Sequence, residues 1–190
     1  MNRLKREKIC IAYHEAGHYV TARHFGVPVT ACLWPVHRER PRGGTFKIWK
    51  GQCDAQGVSL LSPHQERIHC VAGAIAQIAW QEKTADQYMP DWTEVYDFMS
   101  PSDCTFKGEL CDFPTMPERE WQKWWKAMVE AHAMLNRANG PLWPTVQRVA
   151  RRMLTSKRNY ISLNNREHSA ALNRLCAYGN REARRKTGAA

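Results

Sequence analysis

Residues His14-Glu15-Ala16-Gly17-His18 constrain this chain more than any other stretch. They read H-E-x-x-H, a pattern whose chemistry requires a helix. Residues four apart lie on one helix face, so both imidazoles can reach a single zinc ion. Glu15 is one position off that face. It therefore points beside the ion, where it can take a proton from a water. Ile9, Ala12, Tyr13, Ala16, Tyr19, Val20 and Ala22 supply apolar, helix-compatible flanks, and Gly26-Val27-Pro28 is a stop signal. The pattern predicts a helix over about residues 4–25. The bland alternative is an amphipathic helix with two surface histidines and no metal.

Two histidines are one ligand short of a catalytic zinc site. His24 follows His14 at the spacing of H-E-x-x-H-x-x-G-x-x-H, but Thr21 stands where that pattern needs glycine. On a continuing helix His24 lies about 9 Å along the axis from His18, out of reach of the same ion. There its charge suits the helix C-terminus. The other candidates are downstream carboxylates: Glu82, Asp91, Asp97, Asp103 and Asp112.

Tyr13-His14-Glu15-Ala16-Gly17-His18 resembles the zinc helix of the FtsH-type peptidases, whose motif reads H-E-A-G-H. Later landmarks occur in the same order. Residues 27–51 resemble that family's short strand region, with Pro41-Arg42-Gly43-Gly44 in place of its Pro-Arg-Gly element. Val71-Ala72-Gly73-Ala74-Ile75-Ala76 is similar to its Ala/Gly-rich second helix. Ser102-Asp103 is similar to the element supplying its third ligand, and residues 121–175 are similar to its closing helices. The resemblance covers most of residues 9–176. It implies His14, His18 and Asp103 as zinc ligands and Glu15 as general base, with Asp97 the second choice for the third ligand. Cys104 stands where the family usually has leucine, and residues 81–101 are longer and more aromatic than its pattern. Read from the residues alone, Asp103 after Pro101 also suits a helix cap or first-turn carboxylate.

The fold class expected is mainly α: a helical zinc-peptidase domain with a small β element after the H-E-x-x-H helix. At 190 residues the chain predicts one domain over 1–179, followed by a basic disordered tail over 180–190. That is too short for the ATPase module and membrane segments of full FtsH-type proteases. The expected activity is therefore ATP-independent. No apolar run approaches 18 residues, and the basic N-terminus lacks the apolar stretch of a signal peptide, so the expectation is a cytoplasmic protein with no membrane partner. Seven cysteines without a C-x-x-C pair argue against a disulfide framework or a cysteine zinc site and read as small buried hydrophobes.

The net charge of +10 gathers at Arg38, Arg40 and Arg42, at Arg148, Arg151, Arg152, Lys157 and Arg158, and in the tail. Such a balance suits an acidic protein partner. No zinc-finger spacing or aromatic RNA-binding motif accompanies it, and a solvated basic face is the favoured reading.

Strand character is expected over residues 29–33 and 45–49. Ser62-Pro63-His64-Gln65 is a capping box opening a helix with Ile68, Val71, Ala72, Ile75 and Ala79 inward; His69 on that helix is set aside as a ligand. Residues 84–114 read as loop with short helical pieces. Thr115-Met116-Pro117-Glu118 reads as a second capping box, for a helix to about Ala138 with Trp121, Trp125, Met128 and Ala131 or His132 on one side and Gly140 at its end. Residues 144–155 are helical with Val146, Val149, Ala150, Met153 and Leu154 inward. Ser162 caps a final helix carrying Ala171, Leu172 and Leu175 and closed by Gly179.

The reading that follows is a zinc-dependent metallopeptidase. Its substrate would be an unfolded polypeptide or peptide, paired by backbone along the strand near 45–49. Two alternatives remain: a non-catalytic zinc-binding or regulatory protein of the same fold, and a basic nucleic-acid-binding helical domain.

Overall fold

The computed structural model describes residues 3–39, 44–81, 89–156 and 160–161. Expectations placed on residues 40–43, on Glu82, on Lys157 and Arg158, on the helix from Ser162 and on the basic tail fall outside them. The described chain is mostly helical with small antiparallel sheets.

Helix α1 (Arg3–His24) is the axis of the molecule. Every residue from Ala12 to Ala22 is buried, because the helices Pro63–Gln81 and Trp143–Thr155 and the first hairpin wall it on different sides. Its end follows the glycine signal. Gly26 adopts φ of 80°, the Val27 amide donates to the Ala22 carbonyl at 2.9 Å, and the Gly26 amide donates to Arg23 at 3.1 Å. This is a Schellman closure, with Arg23 and His24 in the last turn where the helix dipole favours positive charge.

Strands β1 (Val29–Glu39) and β2 (Thr45–Ala55) pair antiparallel over their whole lengths, twice as long as the sequence pattern predicts. Only Val29, Ala31 and Leu33 are buried on β1, and the far half of the hairpin is held by cross-strand bonds with little burial. Alternation therefore fades where pairing continues. Pro35 is tolerated inside β1 because its partner Trp49 donates its amide to the Glu7 carboxylate on α1 (3.0 Å), away from β1. The order β2-β1-β5 leaves one edge of β2 unpaired by any described strand, β5 (Tyr160–Ile161) lying on the other side of β1.

Helix α2 (Pro63–Gln81) opens with the capping box. The Gln65 amide donates to Ser62 Oγ (3.3 Å), and the Ser62 amide donates to Gln65 Oε1 (3.0 Å). Then follow α3 (Trp92–Phe98), a hairpin of β3 (Thr105–Phe106) and β4 (Glu109–Leu110), α4 (Glu118–Leu135) and α5 (Trp143–Thr155). The β3–β4 turn places Lys107 and Gly108 at φ of 51° and 82°, the signature of a two-residue mirror-image turn.

Two expectations for α4 are corrected. Thr115 does not cap it; its hydroxyl donates to Asp112 Oδ2 (2.6 Å), and Pro117 stands at the cap position without a side-chain bond. The helix also stops at Leu135. Asn136 turns its amide nitrogen back to the His132 carbonyl and accepts the amides of Asn139 and Gly140, offering the backbone an alternative to another helical turn. The inward face is rotated from the predicted one: Trp124, Ala127, Met128, Ala131 and Leu135 are buried, whereas Trp125 is exposed. On α5, Val146, Val149, Ala150 and Met153 are fully buried, while Arg148 and Arg151 face solvent. The six described cysteines are free thiols. Among the described residues no helix is long and apolar enough to cross a membrane.

Candidate metal centre

Helix α1 places His14 and His18 one turn apart, and both are buried, as is Glu15 between them. Their rings enter a space that α2 leaves open because position 73 is glycine. A Cβ there would lie 2.6 Å from His18 Cδ2 and 2.7 Å from His14 Nε2. Gly17 serves the same crossing from the other side, where a Cβ would lie 2.7 Å from that of Ala76. The two helices thus meet through small residues, and the histidine pair is set against the backbone of α2.

Asp103 completes the group. Its turn, Ser100-Pro101-Ser102-Asp103, is a small capping box: the Ser100 amide donates to Asp103 Oδ2 (2.7 Å) and the Asp103 amide donates to Ser100 Oγ (3.4 Å). The cap and ligand readings of Asp103 are therefore not alternatives, since the carboxylate that closes the turn also faces the histidines. His14 Nε2 lies 3.1 Å from Asp103 Oδ2, His18 Nε2 lies 3.1 Å from Oδ1, and the two Nε2 atoms are 3.2 Å apart. Bonds of 2.0–2.1 Å to a tetrahedral ion put neighbouring ligand atoms about 3.3 Å apart, so the three donors are spaced as ligands of one small cation are. Among the described residues they form the group able to hold a metal.

The donor chemistry fits a cation. His18 Nδ1 lies 2.8 Å from the His69 carbonyl, which can only accept, so Nδ1 carries the proton. The Nε2 lone pair of the neutral ring then faces a carboxylate oxygen and a second imidazole. Such an arrangement is met by a positive charge among the three atoms, a proton on Nε2 when the site is empty or a metal ion in its place. Burial by itself lowers the His18 pKa, but the Asp103 carboxylate reverses this and lifts it to about 9. Burial likewise pushes Asp103 up, and His18 and His14 together hold it well below the usual carboxylate range. Glu15 is different: burial raises its pKa, and the neighbouring histidines only partly offset this.

Glu15 lies against β2 at Gly51, where a Cβ would sit 2.5 Å from its Oε1. The group opens into a cleft of about 590 Å³ between α1, the Trp49–Cys53 part of β2, Phe98 and the Ser100–Asp103 turn.

The remaining candidates lie elsewhere. Asp91 caps α3, accepting the Glu94 amide at 2.9 Å. Asp97 is exposed on α3, and Asp112 is exposed and bonded to Thr115. His24 sits half-buried beside Phe25, its pKa lowered by burial. His69 contributes through its backbone carbonyl; its ring stacks edge-on against His18 at 5.1 Å. Sequence reasoning missed the roles of Gly51 and Gly73. A glycine inside a strand signals close approach of another group, and Gly51 is such a case. The chain matches no protein-family profile, no curated protein and no solved structure.

Proposed function

We propose that this protein is a zinc-dependent peptidase resembling the FtsH type, hydrolysing peptide bonds in unfolded chains or peptides. The observation that carries the reading is the convergence of His14, His18 and Asp103 at 3.1–3.2 Å with a buried carboxylate beside them at the floor of an open cleft. Zinc bound by these three residues would supply Lewis acidity, acidifying a water and polarising a carbonyl.

The chain's own residues do the rest. Glu15, kept out of the ligand set by its place on the helix, accepts the water proton at a carboxylate oxygen and delivers it to the leaving amine. Burial raises its proton affinity, which suits a group that must both take and give a proton near neutral pH. The His69 carbonyl holds His18 in the tautomer that presents Nε2. Ser100 anchors Asp103 through its amide. The substrate backbone pairs with the free edge of β2. The two-residue period points the amides of Gly51 and Cys53 the same way as that of Trp49, and the Trp49 amide is already taken by Glu7. The pairing segment is therefore Gly51–Cys53, further along the strand than residues 45–49.

The test is hydrolysis of unfolded casein by zinc-supplied protein. Glu15→Gln is expected to lower kcat by about a hundredfold or more, the range of general acid–base catalysis, with zinc content unchanged. Equal hydrolysis by wild type and Glu15→Gln contradicts the reading. Zinc binding without hydrolysis of any unfolded chain favours the non-catalytic alternative.

A further inference from the structure

The hairpin after Asp103 pairs in a register that carries past its two short strands. Thr105 stands opposite Leu110 and Phe106 opposite Glu109, so the next rung sets Cys104 opposite Cys111. The Cys111 amide donates to the Cys104 carbonyl at 2.8 Å, which makes that rung a hydrogen-bonded pair. Residues paired in this way have Cα atoms about 5.5 Å apart and side chains on one face of the hairpin, and a disulfide spans about 4.4–6.8 Å between Cα atoms. Both thiols are free in the structure. A bridge between them therefore needs side-chain rotation and no movement of the backbone.

The loop is also held at both ends. At its tip the Lys107 amide donates to Glu66 Oε1 on α2 (2.8 Å). At its base the Cys104 amide donates to the Ser100 carbonyl (3.2 Å), within the turn that carries Asp103. The third thiol nearby, that of Cys70 on α2, is turned to the Thr105 carbonyl (3.5 Å). Cys104 is buried and Cys111 half-buried, so Cys111 is the thiol that a soluble oxidant meets first. Burial raises the Cys111 pKa, with Arg67 and the Phe106 backbone partly offsetting it, so exchange is slow at neutral pH and quickens in mild alkali.

We propose that Cys104 and Cys111 close reversibly to a disulfide that ties the β3–β4 hairpin to the turn holding Asp103. Glutathione disulfide supplies the oxidising equivalents. The Cys111 thiolate attacks one of its sulfurs and releases one glutathione as thiolate. The Cys104 thiolate then attacks the Cys111 sulfur of the mixed disulfide and releases the second. The two cysteines lose two electrons and two protons, and one glutathione disulfide becomes two glutathione thiols. Asp103 directly precedes Cys104, so closure fixes the turn that carries its carboxylate. Formation of the bridge does not depend on the peptidase reading.

The test treats the full chain with glutathione disulfide at about pH 8.5, where more of each thiol is ionised. Remaining thiols are then alkylated, and the chain is denatured and cut with trypsin. Trypsin cuts after Lys107, between the two cysteines. The expected product is a linked pair of peptides, lighter by two hydrogens than their sum, which a reductant separates. Cys111→Ser, a half-buried position whose folding circular dichroism checks, should give no such pair. Deuterium exchange at the Asp103 and Cys104 amides should slow at least about threefold on oxidation of wild type, inside the gain that closing so short a loop allows. In Cys111→Ser it should not change. Glutathione left on Cys111 beside a free Cys104 overturns the proposal, as does a bridge from Cys104 to Cys70. A Cys104–Cys111 bridge that leaves exchange in the Asp103 turn unchanged overturns it too.

Discussion

At the scale of single residues, His69 shows how the surroundings of the His14–His18–Asp103 group leave a mark on stability. Its carbonyl holds His18, while its own Nδ1 is sealed from solvent without a hydrogen-bond partner among the described residues. The residue as a whole is partly exposed, but burial of the ring and the nearby His18 lower its pKa from 6.5 to about 3. The sign follows from linkage. Below about pH 6.5 the unfolded chain binds a proton at this histidine and the folded one does not, so stability falls with pH until about pH 3. Between pH 7.5 and 5.5 the loss from this one group is about 1 kcal/mol. Urea unfolding at the two pH values should show His69→Leu losing less stability than wild type by about that amount; equal losses would contradict the assignment. Legibility in the sequence divides sharply at this scale. His14, Glu15 and His18 are readable because helical periodicity alone fixes their relation. Asp103 lies 89 residues from His14, and no local period connects them. The residues by themselves left it as cap or ligand; only the resemblance singled it out, and the structure shows one carboxylate that closes its turn and also lies 3.1 Å from both histidines.

At the scale of elements, the crossing of α1 and α2 carries the site. An exposed helical Gly→Ala change ordinarily stabilises a helix by up to about 1 kcal/mol. At Gly17 and Gly73 the sign should invert. The added methyl at Gly17 would meet the Ala72 carbonyl carbon at 2.9 Å and the Ala76 methyl at 2.7 Å, forcing the helices apart. Overpacking of this kind costs about 1–3 kcal/mol, so a fall in thermal midpoint is expected for Gly17→Ala. Gly73→Ala should in addition displace the histidine rings and weaken zinc binding, read by competition with a chromogenic chelator. A Gly73→Ala protein as stable and as zinc-competent as wild type would contradict the packing account. Elements bounded by local chemistry were readable: the Ser62 box and the Gly26 closure form where the residues placed them. Those decided by competition were not. Thr115 had a nearer partner in Asp112, Asn136 outbid the next turn of α4, and the outer half of the β1–β2 hairpin extends on pairing that burial does not mark.

At the scale of the whole molecule, α1 gathers everything else around itself, presenting His14 and His18 to one cleft and Tyr13 to another. Such a layout is invisible to periodicity, because a helix walled on different sides shows no single apolar stripe. The mainly helical character and the β element after α1 were legible, since each follows from contiguous pattern. The turn that brings Asp103 beneath α1 was not, being assembled from loop, short helix and hairpin between residues 89 and 115. The central claim is that this assembly makes one zinc site from His14, His18 and Asp103. Elemental analysis of zinc-supplied, dialysed protein tests it most directly. Wild type, Asp97→Ala and His24→Ala should each retain about one zinc per chain, and Asp103→Ala should retain essentially none. Zinc held undiminished by Asp103→Ala, or lost instead from His24→Ala or Asp97→Ala, would contradict the account.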